Sequence, residues 1–147
     1  MKKLLFTITT VFFTVSLFAA DKTAEQYIAD LNPANNEQVI ITAADWLGKN
    51  KQEKAIQALL PLLDDSREGV RVRAVNALGN IGKEDAIDGI NKSLVTDESA
   101  VVRYAAALAT ARIASPKSIP AWKEARDKET DPYIRDFLAK MKEKVEK

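Results

Sequence analysis

The chain of 147 residues contains neither cysteine nor histidine. Without cysteine there is no disulfide, no thiolate nucleophile and no lipid attachment through an N-terminal cysteine, so the fold must be held by packing. Without histidine there is no Ser-His-Asp or Cys-His triad, no ordinary zinc site and no imidazole general base. Strand-type alternation is missing at any length, which argues against a sheet. Neither charge sign dominates: 22 basic and 21 acidic groups are interspersed, for a formal net charge of +1. Nucleic-acid binding grows with clustered Lys and Arg, so no nucleic-acid partner is expected. What is present, 46% apolar and 29% charged residues, is the balance of one soluble domain with a buried core.

There is one long apolar run. Met1-Lys2-Lys3 is a short basic start, Leu4 to Phe18 is apolar with scattered Thr and Ser, and Ala19-Ala20-Asp21 closes in small residues. Residues 1–20 therefore read as a secretory signal peptide, with 21–147 as the mature domain. The rival, an uncleaved anchor, is disfavoured by length. A helix of this run at about 1.5 Å per residue falls short of the roughly 30 Å hydrocarbon core of a bilayer. The cleavage point stays open, because cutting after Ala20 leaves Phe18 at the third position back and cutting after Ala19 leaves Leu17 there. Removing residues 1–20 takes Lys2 and Lys3 and no acid, leaving 20 basic against 21 acidic groups and a net charge of −1. The expected product is exported, periplasmic or secreted, and not embedded in a membrane after cleavage.

The remainder is written in copies. Val70 to Gly82 (VRVRAVNALGNIG) returns as Ala100 to Ile113 (AVVRYAAALATARI), with Val72-Arg73 on Val102-Arg103 and Ala77-Leu78 on Ala107-Leu108, a displacement of thirty. Glu37 to Gly48 aligns with Glu68 to Gly79, giving a period close to thirty-one. After each copy comes a second apolar stretch: Ala55-Ile56 through Leu59-Leu60 to Leu63, Ala86-Ile87 through Ile90 to Leu94, and Ile119 through Trp122 to Ala125. Spacings of three, four and seven place these side chains on one helical stripe. Asn50 with Glu53, Ser115 before Pro116 and Asp131 before Pro132 read as helix starts, and Gly48 and Gly82 as reversal points. Thr23 to Leu31, begun by Thr23 and Gln26 and stopped at Asn32-Pro33, is a short amphipathic helix. Pro132 to Lys147 carries Tyr133, Phe137, Met141 and Val145 as an apolar stripe. These two read as the caps that end a stack. One helix pair cannot cover its own apolar face, and repetition supplies the neighbour that does.

Asp131-Pro132-Tyr133-Ile134-Arg135, Val72 to Lys83 and Ala86-Ile87 resemble the HEAT-like repeats of the type first grouped with phycocyanobilin lyases. The resemblance covers about residues 34–147, with the first copy departing at Thr42, where Arg is expected. It implies an all-α, short right-handed α-solenoid of about three helix pairs with terminal capping helices, working by presenting a curved surface to other molecules. It is specific for fold and weak for function. Deoxyhypusine hydroxylase, built from similar repeats, uses His-Glu pairs to hold two irons, and a chain without His offers no position for that site. Phycocyanobilin lyases are intracellular proteins of pigment assembly, a setting at odds with an export signal.

Other motifs fit structural roles better than chemical ones. Asp64, Asp65, Asp85, Asp88, Asp97, Glu98, Asp127 and Asp131 fall on helix ends, connections or wet faces, where capping and solvation outrank carboxylate-only catalysis. Arg73, Arg103 and Arg135 are expected to form a ladder at one repeat position, each pairing with an acid or connection carbonyls near Asp97 or Asp131. Gly79-Asn80-Ile81-Gly82-Lys83 lacks the spacing and context of a phosphate loop and reads as an inter-helix turn. Trp46, Tyr104 and Trp122 are candidate ligand-stacking aromatics, but Trp46, at the Ala77 position, and Trp122, at the Ile90 position, are expected to fill core.

In solenoids the second helices line the concave side, so by analogy their outward residues are the recognition face. That face comprises Lys54, Gln57 and Ala58, then Asp85, Asp88 and Lys92, then Lys117, Ala121 and Glu124. It is polar, mixed in sign and without aromatic anchors, which fits a modest and specific protein contact. The sequence thus predicts a non-catalytic interaction or scaffold module of the cell envelope, with a protein partner, no cofactor and no metal. An enzyme or enzyme-accessory repeat protein ranks second and a purely structural spacer third.

Overall fold

The computed structural model describes residues 22–145, with side chains as far as Met141. The signal peptide expected at residues 1–20 lies outside the described residues. Among these residues there are eight α-helices and no strand, in the order α1 (Ala24–Asp30), α2 (Glu37–Lys49), α3 (Ile56–Leu59), α4 (Glu68–Ile81), α5 (Ile87–Thr96), α6 (Ala100–Ile113), α7 (Ile119–Lys128) and α8 (Pro132–Val145). Helices α2, α4, α6 and α8 lie side by side as a first row. Helices α3, α5 and α7, each entered through a 3-10 turn, form the second. The chain is a short all-α solenoid.

The register of the copies differs from the thirty-residue overlay. The ends of α4 and α6, of α5 and α7, and of the 3-10 turns Glu84–Ala86 and Pro116–Ser118 are all displaced by 32 residues. Val70 therefore corresponds to Val102, both fully buried, and Arg71 rather than Arg73 corresponds to Arg103. The thirty-residue overlay matched letters in two Ala- and Val-rich helices at the cost of facing their buried stripes in different directions.

Close approach of the first-row helices explains two glycines. A Cβ on Gly48 would lie 2.7 Å from the Cα of Ala77, and one on Gly79 would lie 2.6 Å from the Cβ of Ala109. Gly48 is thus a contact residue inside α2 rather than the reversal expected of it. The reversal belongs to Lys51, with φ 49°, which corresponds in place to Gly82 at φ 75° and Ala114 at φ 56°. All three adopt the left-handed conformation that closes a helix, and only the second copy meets it with the residue that bears it without a Cβ clash.

Val70, Val75 and Leu78 of α4 share one core with Ile90 and Leu94 of α5, all essentially inaccessible to water. Each such side chain stabilises the fold by about 1.5–3 kcal/mol relative to leaving it exposed. Trp122 fills the core at the place of Ile90 as expected, and its indole N–H donates to Thr110 Oγ1 at 2.8 Å, satisfying both buried groups. Trp46 is half-buried and stacks on Tyr27 of α1 with ring centroids 4.3 Å apart, so it joins the first cap to the stack. Tyr104 is exposed and meets Phe137 edge-on at 5.9 Å.

The second helix of the first copy is not continuous. The chain passes from the 3-10 turn Glu53–Ala55 through α3 into a 3-10 segment, Leu60–Asp64, because Pro61 has no N–H to continue an α-helical ladder. Its stripe survives, with Ile56, Leu59, Leu62 and Leu63 buried.

Caps follow the expected residues with one exception. The Thr23 hydroxyl and the Gln26 side chain each bond the other's backbone N–H, a complete capping box. Ser115 Oγ accepts from Lys117 N, and Asp131 Oδ1 accepts from Tyr133 N and Ile134 N. Asn50, expected to start a helix with Glu53, instead ends α2, its Nδ2 donating to Trp46 O at 2.8 Å. Among the described side chains of α8, Ile134 and Leu138 are buried and Phe137 and Met141 half-buried, while Val145, also expected on the stripe, lies outside them. Tyr133, expected on the apolar stripe, is 82% exposed.

Candidate interaction surface

Of the residues expected to form the recognition face, Lys54, Gln57, Asp85, Asp88, Lys92, Lys117 and Glu124 are all exposed along the second row. Ala121 is not part of it, being buried against the stack. No hydrogen bond or ion pair joins one member of the exposed set directly to another among the described residues. Several are tied instead to opposite charges of the neighbouring unit or of their own helix. Lys92 Nζ sits 2.8 and 2.9 Å from the two carboxylate oxygens of Asp64. Lys117 approaches Glu84 at 3.8 Å, and Glu124 accepts from Lys128 at 2.7 Å. Lys54 is 4.0 Å from Glu25 on the first cap. Such exposed pairs contribute little stability and separate readily when a partner competes for them.

Of the three arginines expected to form a ladder only Arg103 does so, and its counterpart in the preceding unit is Arg71, with Arg73 and Arg135 outside the arrangement. Arg71 Nε donates to Asp97 at 2.9 Å and its Nη1 to the carbonyls of Asp65 and Ser66. Arg103 repeats this one unit later: Nε and Nη2 donate to Glu129, both at 2.8 Å, and Nη1 to the carbonyls of Asp97 and Glu98, both at 3.0 Å. Arg135, one period further on, is exposed and in no ion pair among the described residues. Arg73 points elsewhere, half-exposed, with Asp45 at 3.6 Å. In the first unit the corresponding place is taken by the buried Ile40, not by Thr42. There Arg67 does the tying, donating to the carbonyls of Asn35 and Pro33 and to the carboxylate of Asp65.

The acids of this ladder also hold the next helix start. Asp65 Oδ1 accepts from the N–H of Arg67, Asp97 Oδ1 from that of Ser99, and Glu129 Oε1 from those of Thr130 and Asp131. The Arg103 guanidinium, with these N–H donors and against the cost of burial, holds Glu129 down to about 2. Asp65 is likewise lowered, chiefly by the Arg67 side chain. The arrangement is marked by an acid six residues before an arginine, Asp65 and Arg71, then Asp97 and Arg103, whereas Glu129 and Arg135 keep the spacing without the contact. That spacing is present in the sequence, but a thirty-residue overlay sets Arg73, not Arg71, against Arg103. Two open cavities lie against the ladder, about 460 Å³ beside Arg71 and Asp97 and about 230 Å³ beside Arg103 and Glu129. Their guanidiniums are committed to protein acceptors, so the ladder is structural.

No group of three or more acids able to hold a metal ion occurs among the described residues. No described helix is long and apolar enough to cross a membrane. A shallow apolar cavity of about 250 Å³ is lined by Val101, Tyr104, Tyr133 and Ile134 at the end of the first row.

The repeat geometry is matched by a family model for HEAT repeats, over residues 24–109 and again over 70–140. The chain belongs to the HEAT-repeat family. Among solved structures, this HEAT-repeat chain is similar to a chain in the complex of CpcE and CpcF of phycocyanin lyase from Nostoc sp. PCC7120, at 28% identity and a TM-score of 0.67. The match covers 73% of this chain and 43% of the other, so the HEAT-repeat chain spans less than half of that relative. No curated protein matches its sequence.

Proposed function

We propose that this protein is an exported, non-catalytic HEAT-repeat module that binds another protein of the cell envelope through the outward residues of its second row. The observation that carries this reading is the strip of exposed, mixed-sign side chains from Lys54 through Asp88 and Lys92 to Glu124, on a frame whose buried charged side chains, Arg71 and Glu129, are paired within the fold. Reactive groups are scarce: the chain has no His or Cys. A polar rim without aromatic anchors suits a moderate-affinity, electrostatically selected contact. Membership of a complex by the similar phycocyanin lyase chain supports a protein as the partner class. Export is inferred from the basic start, apolar run and small residues of positions 1–20.

Affinity capture tests the reading. With the mature protein as bait, an envelope extract of the source organism is expected to yield a stoichiometric partner that is lost from a Lys54→Ala, Asp88→Ala, Glu124→Ala triple variant. Retention of the same partner by the variant removes this face from the proposal, and an empty capture at both low and moderate salt removes the binding role. Fractionation of the cells, with mass measurement of the mature N-terminus, tests export separately.

A second reading is favoured by one observation, the similarity to a phycocyanin lyase chain: a repeat protein that assists an enzyme. It predicts that the captured partner is an enzyme whose turnover changes on addition of the purified protein. Loss of that effect on substituting Asp85 or Asp88 would extend the role to the same face.

A further inference from the structure

Most cations of the described residues are paired with acids. Lys49, Lys51, Arg112, Lys123 and Arg135 are not, and three of them, Lys49, Lys51 and Arg112, line a single groove of about 530 Å³. Gly48, Gly79, Asn80, Ile81 and Gly82 complete its lining, and no carboxylate takes part. In a protein whose charges are otherwise balanced and interspersed, this is a local surplus of one sign.

Its geometry is prepared rather than incidental. The groove crosses the C-terminal ends of α2, α4 and α6, where Gly48 and Gly79 let the helices approach and leave the floor without side chains. Arg112 lies beside the bare face of Gly79 and is held there by a 2.7 Å hydrogen bond from Nη1 to the neutral Asn80 Oδ1, which fixes the guanidinium without spending its charge. Lys49 and Arg112 stand in the last turns of their helices, where a cation complements the helix dipole. The dipole does not account for Lys51, beyond its helix in the left-handed conformation, nor for the lack of any acid along the groove.

We infer that this groove binds an extended acidic segment of another polypeptide, with carboxylates on Lys49, Lys51 and Arg112. A peptide suits the site better than a bare anion because the carbonyls of Gly79 and Asn80 receive no backbone or side-chain hydrogen bond among the described residues. They accept peptide N–H groups but repel an inorganic anion. Neighbouring packed helices stand about 8–10 Å apart, so crossing from α2 to α6 takes roughly 16–20 Å, the span of five or six extended residues. The groove is distinct from the second-row face, and its failure leaves that proposal untouched.

The test is fluorescence anisotropy of the purified protein with a labelled hexaglutamate peptide at low salt, beside hexaglutamine and hexalysine. Saturable binding of hexaglutamate alone is expected, with affinity falling at least tenfold in a Lys49→Gln, Lys51→Gln, Arg112→Gln variant and unchanged in a Lys123→Gln, Arg135→Gln variant. All five residues sit at the surface or at helix ends, so both variants are expected to melt as the parent does. Equal losses in the two variants would reduce the effect to net charge and overturn the inference, as would no binding. Displacement of the peptide by millimolar phosphate at constant ionic strength would also overturn it, assigning the groove to small anions.

Discussion

Arg103 and Glu129 meet through two parallel hydrogen bonds of 2.8 Å, with the carboxylate almost wholly withdrawn from water. This pair joins the start of α6 to the connection after α7, and its carboxylate should make stability depend on pH. Glu129 ionises at about 2 in the fold against an ordinary 4.5, so the unfolded chain binds the more protons in acid. The stabilisation, on the order of 3 kcal/mol, is fully present above about pH 5 and is lost as the pH falls toward 2. Urea midpoints measured from pH 7 to pH 2.5 should decline, and the decline should be distinctly shallower in Glu129→Gln.

Arg71 and Arg73 provide a contrast within one helix. Arg71→Ala strands the buried Asp97 carboxylate and frees the Asp65 and Ser66 carbonyls, at a cost of about 3 kcal/mol. Arg73→Ala removes only a long, exposed pair and should change stability by less than about 0.5 kcal/mol. Thermal melts of the two variants check both values, and equal effects would contradict the 32-residue register.

Contact between first-row helices rests on missing side chains. Gly79→Ala forces a methyl group against Ala109, so the helices must part, costing about 1–3 kcal/mol. Calorimetry should show a lowered Tm for this variant and a similar one for Gly48→Ala, whose methyl group meets the Ala77 backbone.

Ala114 holds the left-handed conformation that Gly82 holds one unit earlier. Ala114→Gly should therefore stabilise the protein by up to about 1 kcal/mol, the relief of the Cβ strain less the added freedom of the unfolded chain. Gly82→Ala should destabilise by a comparable amount, and chemical denaturation of both variants would test the pair.

Trp122→Phe keeps the ring in the core but leaves the Thr110 hydroxyl without its indole donor. A loss of about 1–2 kcal/mol is expected by denaturant titration, and pairing it with Thr110→Val should restore part of that loss.

The helix pairs, the second-row stripes and most caps were legible in the sequence because they rest on local rules: 3.6-residue periodicity and a hydroxyl or carboxylate just before a helix. Register was harder. Ala and Val recur so often in α4 and α6 that letter matching favours thirty residues, whereas the 32-residue displacement is enforced by which face each helix buries. Gly48 misled for a related reason, since glycine serves equally for a turn and for close approach, and only the neighbouring Ala77 decides between them. Tyr133 keeps apolar spacing yet faces water, because α8 is covered on one side only. Of the candidate surface, exposure along the second row could be read from periodicity. The groove of Lys49, Lys51 and Arg112 could not, since it joins three helix ends that are far apart in the chain.

Each ladder arginine grips the connection that enters its unit and the acid that leaves it, and that acid opens the next unit. Asp65, Arg71, Asp97, Arg103 and Glu129 thus form a self-similar seam in which the two 32-residue modules that open at Glu68 and Ala100 each carry one lock and one key. A module cut between equivalent points, such as 68–99, has matching edges at both ends. Duplicating it in tandem should lengthen the rod without exposing a mismatched joint, so the number of modules can vary while the rule that joins them stays fixed.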